Sequence, residues 1–422
     1  MPETIQKKIV IVGGGIVGLC AAYYLRQDGH QVTILEKEEK TGQACSAGNA
    51  GMIVPSHFIP LAAPGVIAKG IKWMFSPESP FSIKPSLDSE LISWLWKFYR
   101  SANDGHVRSS AGILKDLNLM SRSLFAEFAQ SDDIDFSFGE KGLLMLYNTA
   151  KAQQEETETA KMAEKIGIQA DMLDAKQVQE LEPGIKVNVR GGVHYVKDAH
   201  IDPVEFCDAL EDFLKSKGVE IVNGAEVKTF GQVNGQIKHL TTQNGERHEA
   251  DEFVLAAGAF STTLLQGLNA SIPMIAGKGY SVTVPNLEQR PSVPSIFCEA
   301  KVAVTPMGDN LRIGGTMELT GRNLSVRKAK VRGILKSIPD YYPDMPAGNM
   351  GKLPVWSGLR PCSPDGLPYI GRFQNHQNMI AATGHAMMGV SLGPVTGKLV
   401  ADIVSGKEPS LPLAQLSPDR YN

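Results

Sequence analysis

The sequence is poor in everything that a disulfide-stapled, metal-binding, membrane-spanning or nucleic-acid-binding chain requires. Five cysteines stand in 422 residues. Cys20, Cys45, Cys207, Cys298 and Cys362 are odd in number and widely scattered, with no C-x-x-C pair, which reads as reduced thiols in a reducing compartment. There is no His-Glu-x-x-His, no metal-spaced cysteine and histidine cluster and no P-loop, so no metal is expected. No uninterrupted apolar run reaches the length of a spanning helix. Lysine and arginine number 42 against 45 aspartate and glutamate, a net charge of −3, and no basic run suggests nucleic acid. The polar stretch Met1 to Lys7 runs straight into an apolar segment, so no signal peptide and a cytoplasmic location are expected.

What the chain does have begins eight residues in. Ile9-Val10-Ile11-Val12 reads as a buried parallel strand. It ends in Gly13-Gly14-Gly15-Ile16-Val17-Gly18, which meets G-x-G-x-x-G, and enters a helical stretch, Leu19 to Gln27, stopped by Asp28-Gly29. A second strand, Gln31 to Leu35, closes on Glu36 and Lys37. Strand, loop, helix, strand and terminal acid in this order describe a dinucleotide-binding unit. Gly13 permits the tight turn, Gly15 lets the backbone approach a pyrophosphate, and Gly18 lets helix and strand pack closely. Ile16 and Val17 open the helix whose N-terminal N–H groups and dipole favour phosphate. Glu36 suits a ribose 2′-hydroxyl and argues against a 2′-phosphate.

At this length two domains are the natural expectation. Gly42 to Met52 is dense in small residues. From Phe58 to Asn103 prolines break the chain and Trp73, Trp94 and Trp96 cluster. Helices are expected over Leu114 to Gln130 and Ala150 to Ile166, separated by a strand at Gly142 to Tyr147. A short helix is expected from Asp174 to Leu181, a strand at Gly191 to Tyr195, and an amphipathic helix from Asp202-Pro203 to Lys217. Val219 to Val222 and Phe253 to Ala259 read as strands. From Ile272 to Met317 alternating strands suggest an antiparallel sheet, with a charged helix between Ser325 and Ile338. The last 70 residues read as glycine-rich loops ending in a helix near Thr396 to Val404. The expected fold is α/β, with a discontinuous Rossmann-type domain (1–57, 201–265 and 353–422) and an inserted antiparallel-sheet-plus-helices domain (58–200 and 266–352).

Four segments together resemble the FAD-dependent amine oxidoreductases of the D-amino-acid oxidase, glycine oxidase and D-amino-acid dehydrogenase superfamily. They are the fingerprint to Glu36; the loop carrying Cys45, Ser46, Asn49, Ala50, Gly51, Met52 and Ile53; Val227 paired with Ala256-Ala257-Gly258-Ala259; and Trp356-Ser357-Gly358-Leu359-Arg360-Pro361-x-x-Pro364-Asp365-Gly366 followed by Thr383-Gly384-His385 and Gly389-Val390. The resemblance implies that Ser46, Asn49, Ala50, Gly51 and Met52 pass beside a flavin. It likewise implies that Val227, Ala257 and Gly258 meet the adenosine side, and that the turn Gly384 to Ser391 faces the reduced flavin's pyrimidine edge, with His385 acting mainly through its backbone. FAD is the implied cofactor. Cys362 sits several residues past the flavin-bearing cysteine of sarcosine oxidases, so FAD is expected to be non-covalent and Cys362 to serve packing.

By the same resemblance Arg360 clamps a substrate carboxylate, for which a guanidinium offers a planar two-donor fork. His57 is a second site residue, as cavity lining or proton acceptor, against the plainer reading of a loop histidine. Tyr280 is a third, with its hydroxyl over the amine or carboxylate, against that of a sheet tyrosine. Relatives carry a second arginine where Met387 stands and a tyrosine near Val302, so a more apolar pocket and a larger or cyclic side chain are expected. The implied reaction is oxidative deamination of a D-amino acid, Cα to flavin N5, giving an imino acid that hydrolyses to a 2-oxo acid. A secondary amino acid of the hydroxyproline, proline or sarcosine type, a flavin-bearing electron-relay subunit, and a nicotinamide dehydrogenase remain open. The aromatics of Phe58 to Asn103 beside Lys69, Lys72, Lys84 and Lys97 suit either a core or a peripheral contact with the inner face of the cell membrane, where a quinone would take the electrons.

Overall fold

The structure is a computed structural model and describes residues 5–40, 45–345 and 350–422. Gly42, Gln43 and Ala44 of the small-residue loop lie outside the described residues. A six-stranded sheet runs in the order Glu220–Val222, Gln31–Leu35, Lys8–Val12, Glu252–Leu255, Met379–Thr383 and Tyr369–Arg372. All pairs are parallel except the last. Ile9 sits opposite Val32 on one side and Glu252 on the other, so the N-terminal strand lies near the centre, where a continuous apolar run is required. Its helix, Ile16–Gln27, buries Leu19, Cys20, Ala21, Ala22 and Leu25. Each leucine hidden this way contributes about 1.5–3 kcal/mol.

The amphipathic helix expected after Asp202 spans Pro203–Ser216. The Asp202 side chain accepts the Val204 N–H, Pro203 occupies the first turn, and Phe206, Leu210 and Leu214 form the buried stripe. The helix expected from Leu114 begins ten residues earlier, at Asp104, and ends at Ala129. Asn103 caps it, and burial of Val107, Ala111 and Leu114 outweighs the poor helix propensity of Gly105, Gly112 and the serines between them. The last 70 residues are also more ordered than glycine content suggests. They supply the strands Val355–Cys362, Tyr369–Arg372 and Met379–Thr383 before the helix Gly393–Ser405.

A nine-stranded sheet forms the second layer, with Val355–Cys362 at its edge beside Ile275–Val284, then Asn310–Leu319 and Val302–Met307. These neighbours are antiparallel. The register sets Gly277 opposite Arg360, Gly279 opposite Gly358 and Ser281 opposite Trp356. Successive side chains alternate between faces. One face carries Gly277, Gly279, Trp356 and Arg360; the other carries Lys278, Tyr280 and Val282, the last two in a core with Val331 and Ile334 of the helix Lys328–Lys336.

The segment 58–103 divides. Trp94 and Phe98 of the helix Ser89–Ser101 are buried, and the Trp94 indole donates to the Cys362 carbonyl at 2.8 Å. Phe75, Leu87, Trp96 and Tyr99 are exposed, at 85%, 95%, 60% and 62%, so the core claims only part of this aromatic cluster.

Candidate active site

The fingerprint loop sets the geometry of the first cavity. Gly13 has φ of +109°, and a Cβ there would lie 2.5 Å from the Ala256 carbonyl oxygen; a Cβ on Gly18 would lie 2.0 Å from the Gly13 oxygen. Gly15 differs, since only the Ser46 hydroxyl comes near its Cβ position, at 3.5 Å. The space beside Gly15 therefore opens to the cavity, while Gly13 and Gly18 are closed by their own fold. Glu36 accepts the Gly14 N–H at 2.6 Å and the Glu38 N–H at 2.9 Å. Ser46 accepts the Ile16 N–H at 3.2 Å, capping from another loop a helix that lacks its own side-chain cap.

The cavity has a volume of about 460 Å³. Of the residues expected to hold a dinucleotide, Gly13, Gly15, Ile16, Val17, Glu36, Lys37, Ser46, Asn49, Val227, Ala257, Gly258, His385, Gly389 and Val390 line it. Six others lie behind or beside it. Gly18 packs the loop, and Gly51 donates to the Asn49 side chain at 2.9 Å. Met52 lies in the strand Met52–Ile53, with Ala50 in the same apolar cluster, and Gly384 abuts the Tyr369 ring. Ser391 accepts the Val54 N–H at 3.0 Å and donates to Asn118 at 2.6 Å, tying the chain just after the strand Met52–Ile53 to the helix Asp104–Ala129. Sequence reasoning missed Lys228, Phe260 and Leu324 as lining. Lys37 lies 4.0 Å from the centre of the Phe260 ring, a pairing that no motif signals.

Arg360 lies flat across Gly279, where a Cβ would come within 2.2 Å of its guanidinium. One N–H reaches the Thr316 carbonyl at 2.5 Å, and no carboxylate pairs with it among the described residues. Burial lowers its pKa, while Cys45, which lines the cavity, and Cys362 act in the other direction. Leu359 and Pro361 on either side of it line the cavity directly. Arg312, which sequence reasoning also missed, differs in having three acceptors. It donates to Thr283 at 2.7 Å and to the Ala47 and Asn49 carbonyls at 2.6 and 3.0 Å, holding the flavin-side loop against the sheet.

Tyr280 departs from expectation. It lies on the opposite face from Arg360, with its hydroxyl donating to Glu318, because strand alternation turns residues 278 and 280 away from the loop that Arg312 and Trp356 contact. His57 is outside the cavity lining; its Nδ1 meets the Ser56 hydroxyl at 3.0 Å, and that hydroxyl reaches Asp198 at 2.5 Å. Burial, with a smaller push from Lys301, lowers the His57 pKa to about 4, while burial raises that of Asp198 to about 7. His385 bonds Thr396 at 2.9 Å and is held neutral by burial, its pKa lowered to about 3. Cys362 is buried against Met317 and the Arg360 carbonyl, and burial pushes its thiol up to about 12.

A parallel sheet with a glycine-rich turn, a helix N-terminus and a glutamate closing its second strand, joined to an antiparallel sheet whose Arg360 meets no acid among the described residues, fits a two-layer flavoprotein oxidoreductase. The family model for FAD dependent oxidoreductases matches residues 8–403, and the chain belongs to that family. It is 32% identical over 419 residues to the D-amino acid dehydrogenase of Vibrio atlanticus (strain LGP32), covering 98% of this chain and all of that one. The D-amino acid dehydrogenase of Rhizorhabdus wittichii is 30% identical with the same coverage. Among solved structures, glycine oxidase from Geobacillus kaustophilus matches with a TM-score of 0.76 at 24% identity, over 99% of both chains. L-Proline dehydrogenase from P. horikoshii matches at 0.73 and 21%, over 100% of this chain and 98% of that one. The residues around Gly15 fit FAD, since the open space there and the engaged glutamate are what a pyrophosphate and ribose require. Among the described residues no helix is long and apolar enough to cross a membrane.

Proposed function

We propose that the chain oxidises a D-amino acid and that Arg360 receives the substrate carboxylate. One observation carries this reading: Arg360 is a largely buried cation beside the cavity, with one backbone acceptor and no acid partner among the described residues. Removing a charge from water is costly unless a partner offsets it, and an incoming carboxylate would supply two parallel hydrogen bonds. FAD, when bound, accepts the hydride that leaves Cα. The protein's own task is to orient the substrate, and Arg360 fixes its carboxylate end. The imino acid released then hydrolyses in water to a 2-oxo acid.

The D-configuration is supported by the two dehydrogenases at 32% and 30% identity. The proposal extends to the electron acceptor. Exposed Phe75, Leu87, Trp96 and Tyr99 share the segment 69–99 with Lys69, Lys72, Lys84 and Lys97, a composition suited to resting on an anionic membrane and passing electrons to a quinone. The test is anaerobic absorbance of the yellow protein titrated with D-amino acids, their L-enantiomers, glycine, sarcosine and both hydroxyproline series. Bleaching by D-amino acids is expected, with slow recovery on readmitting air. Bleaching only by secondary amines would replace the substrate class.

A further inference from the structure

A second cavity, of about 530 Å³, lies between the segment 74–85 and the stretch 320–330. Its lining includes Lys84, Lys278, Arg327 and Lys330 and no acidic residue. Lys278 and Lys330 are each 1% exposed. Lys330 is held by the Ser79 carbonyl and hydroxyl at 2.9 and 3.1 Å, which fixes the ammonium in place. Lys278 donates to the Ser325 carbonyl at 2.8 Å and has two N–H groups left. The nearest carboxylate, Glu318, faces the sheet, where it takes Arg327 at 2.8 Å, Lys278 at 3.7 Å and the hydroxyls of Ser82 and Tyr280. Four cations against one carboxylate leave a surplus of positive charge facing the space.

Two further features aim at the same space. The buried Thr320 hydroxyl, also in the lining, has no hydrogen-bond partner among the described residues. The helix Lys328–Lys336 begins at Arg327 without a side-chain cap, so its positive end is directed here as well. Met74, Phe75, Ile83 and the prolines at 77 and 85 form an apolar rim.

We propose that this cavity is a binding site for a phosphate group, separate from the FAD cavity and independent of the role given to Arg360. A dianion matches the charge surplus better than a single carboxylate does, and Arg327, one nitrogen of which meets Glu318, has its remaining N–H groups to offer a phosphate oxygen. The rim suits a phosphate that carries an apolar part, as a lipid headgroup does, and equally leaves room for a free phosphate ester. The stretch 320–327 separates the two cavities. Leu324 lines the FAD side, while Asn323 and Ser325 line the phosphate side, so an occupant here touches the loop that borders the cofactor.

The test uses the FAD-loaded full chain in phosphate-free buffer, titrated calorimetrically with inorganic phosphate. In parallel it is sedimented with vesicles of phosphatidylglycerol or of phosphatidylcholine. One saturable site for phosphate, or capture by phosphatidylglycerol alone, is expected. Lys84→Gln/Arg327→Gln should weaken either by about tenfold or more, and Lys161→Gln, an exposed lysine outside both this cavity and the lysine-rich segment 69–97, should not. Lys84→Gln by itself changes an exposed side chain and keeps the test readable if the double variant folds poorly. Phosphate uptake without vesicle capture assigns the site to a free ester, and the reverse assigns it to a headgroup. Uptake or capture that the Lys84 variants leave unchanged, or neither event in the wild type, overturns the proposal.

Discussion

On one face of the strand pair Ile275–Val284 and Val355–Cys362, Arg360 gives a single N–H to a backbone carbonyl and meets no carboxylate among the described residues. On the other face Lys278, Tyr280 and Arg327 converge on the buried Glu318, whose oxygens also take the Ser82 hydroxyl. The two clusters are separated by the thickness of one sheet and use the same strands. The difference lies in what completes them. The Glu318 cluster pairs its carboxylate from within the chain, so its loss is a loss of stability. Arg360 is incomplete in the protein alone, and a group supplied from outside is what its geometry lacks.

Breaking the paired face is expected to have the largest effect. Glu318→Leu leaves Lys278 buried without its counter-charge and should lower folding stability by about 3 kcal/mol or more, read from urea denaturation. Arg360→Ala should cost no more than about 2 kcal/mol in the same assay, the scale of one backbone hydrogen bond and some packing. Equal losses would erase the distinction between the faces.

A smaller effect sharpens the picture of the open face. Gly279→Ala places a methyl where the Arg360 guanidinium lies and must push it aside. The half-saturating substrate concentration should rise about tenfold or more while bound flavin and melting temperature change little. An unchanged value would mean that the position of Arg360 does not matter to substrate.

The smallest expected effect is a pH dependence of stability. Burial pushes the Glu318 carboxyl up, but the Tyr280 and Ser82 hydroxyls and the Lys278 and Arg327 charges outweigh it and hold it below the usual glutamate range. A depressed carboxyl contributes stability above its unfolded pKa, near 4.3, that is lost as pH falls through the folded value. The melting temperature should therefore fall on acidification below about pH 4, and this component should be missing in Glu318→Leu.

The parallel layer was legible because each of its parts carries a local signal: an apolar run, a glycine turn, a capped amphipathic helix. The strand Gln31–Leu35 and the Gly13 to Glu36 cradle follow from that alone. The second layer was legible in kind but not in orientation. Alternation shows that Lys278 and Tyr280 share a face, yet only the register against Val355–Cys362 decides which face meets the flavin-side loop. Tyr280 was misplaced for that reason. Arg312 and Leu324 were invisible because their partners lie more than 250 and about 30 residues away along the chain, at Ala47 and Asn49 and at Ser357. The C-terminal strands were read as loops because glycine and proline dominate their flanks, whereas pairing with Glu252–Leu255 orders Met379–Thr383.

The most direct test of the carboxylate clamp compares a D-amino acid with its neutral carboxamide in anaerobic flavin reduction, for the wild type and for Arg360→Ala. The wild type is expected to favour the acid by about 100-fold or more, on the scale of losing one partner of a buried charge pair, and Arg360→Ala to lose most of that preference. Retention of the full preference without Arg360 would show that another group receives the carboxylate.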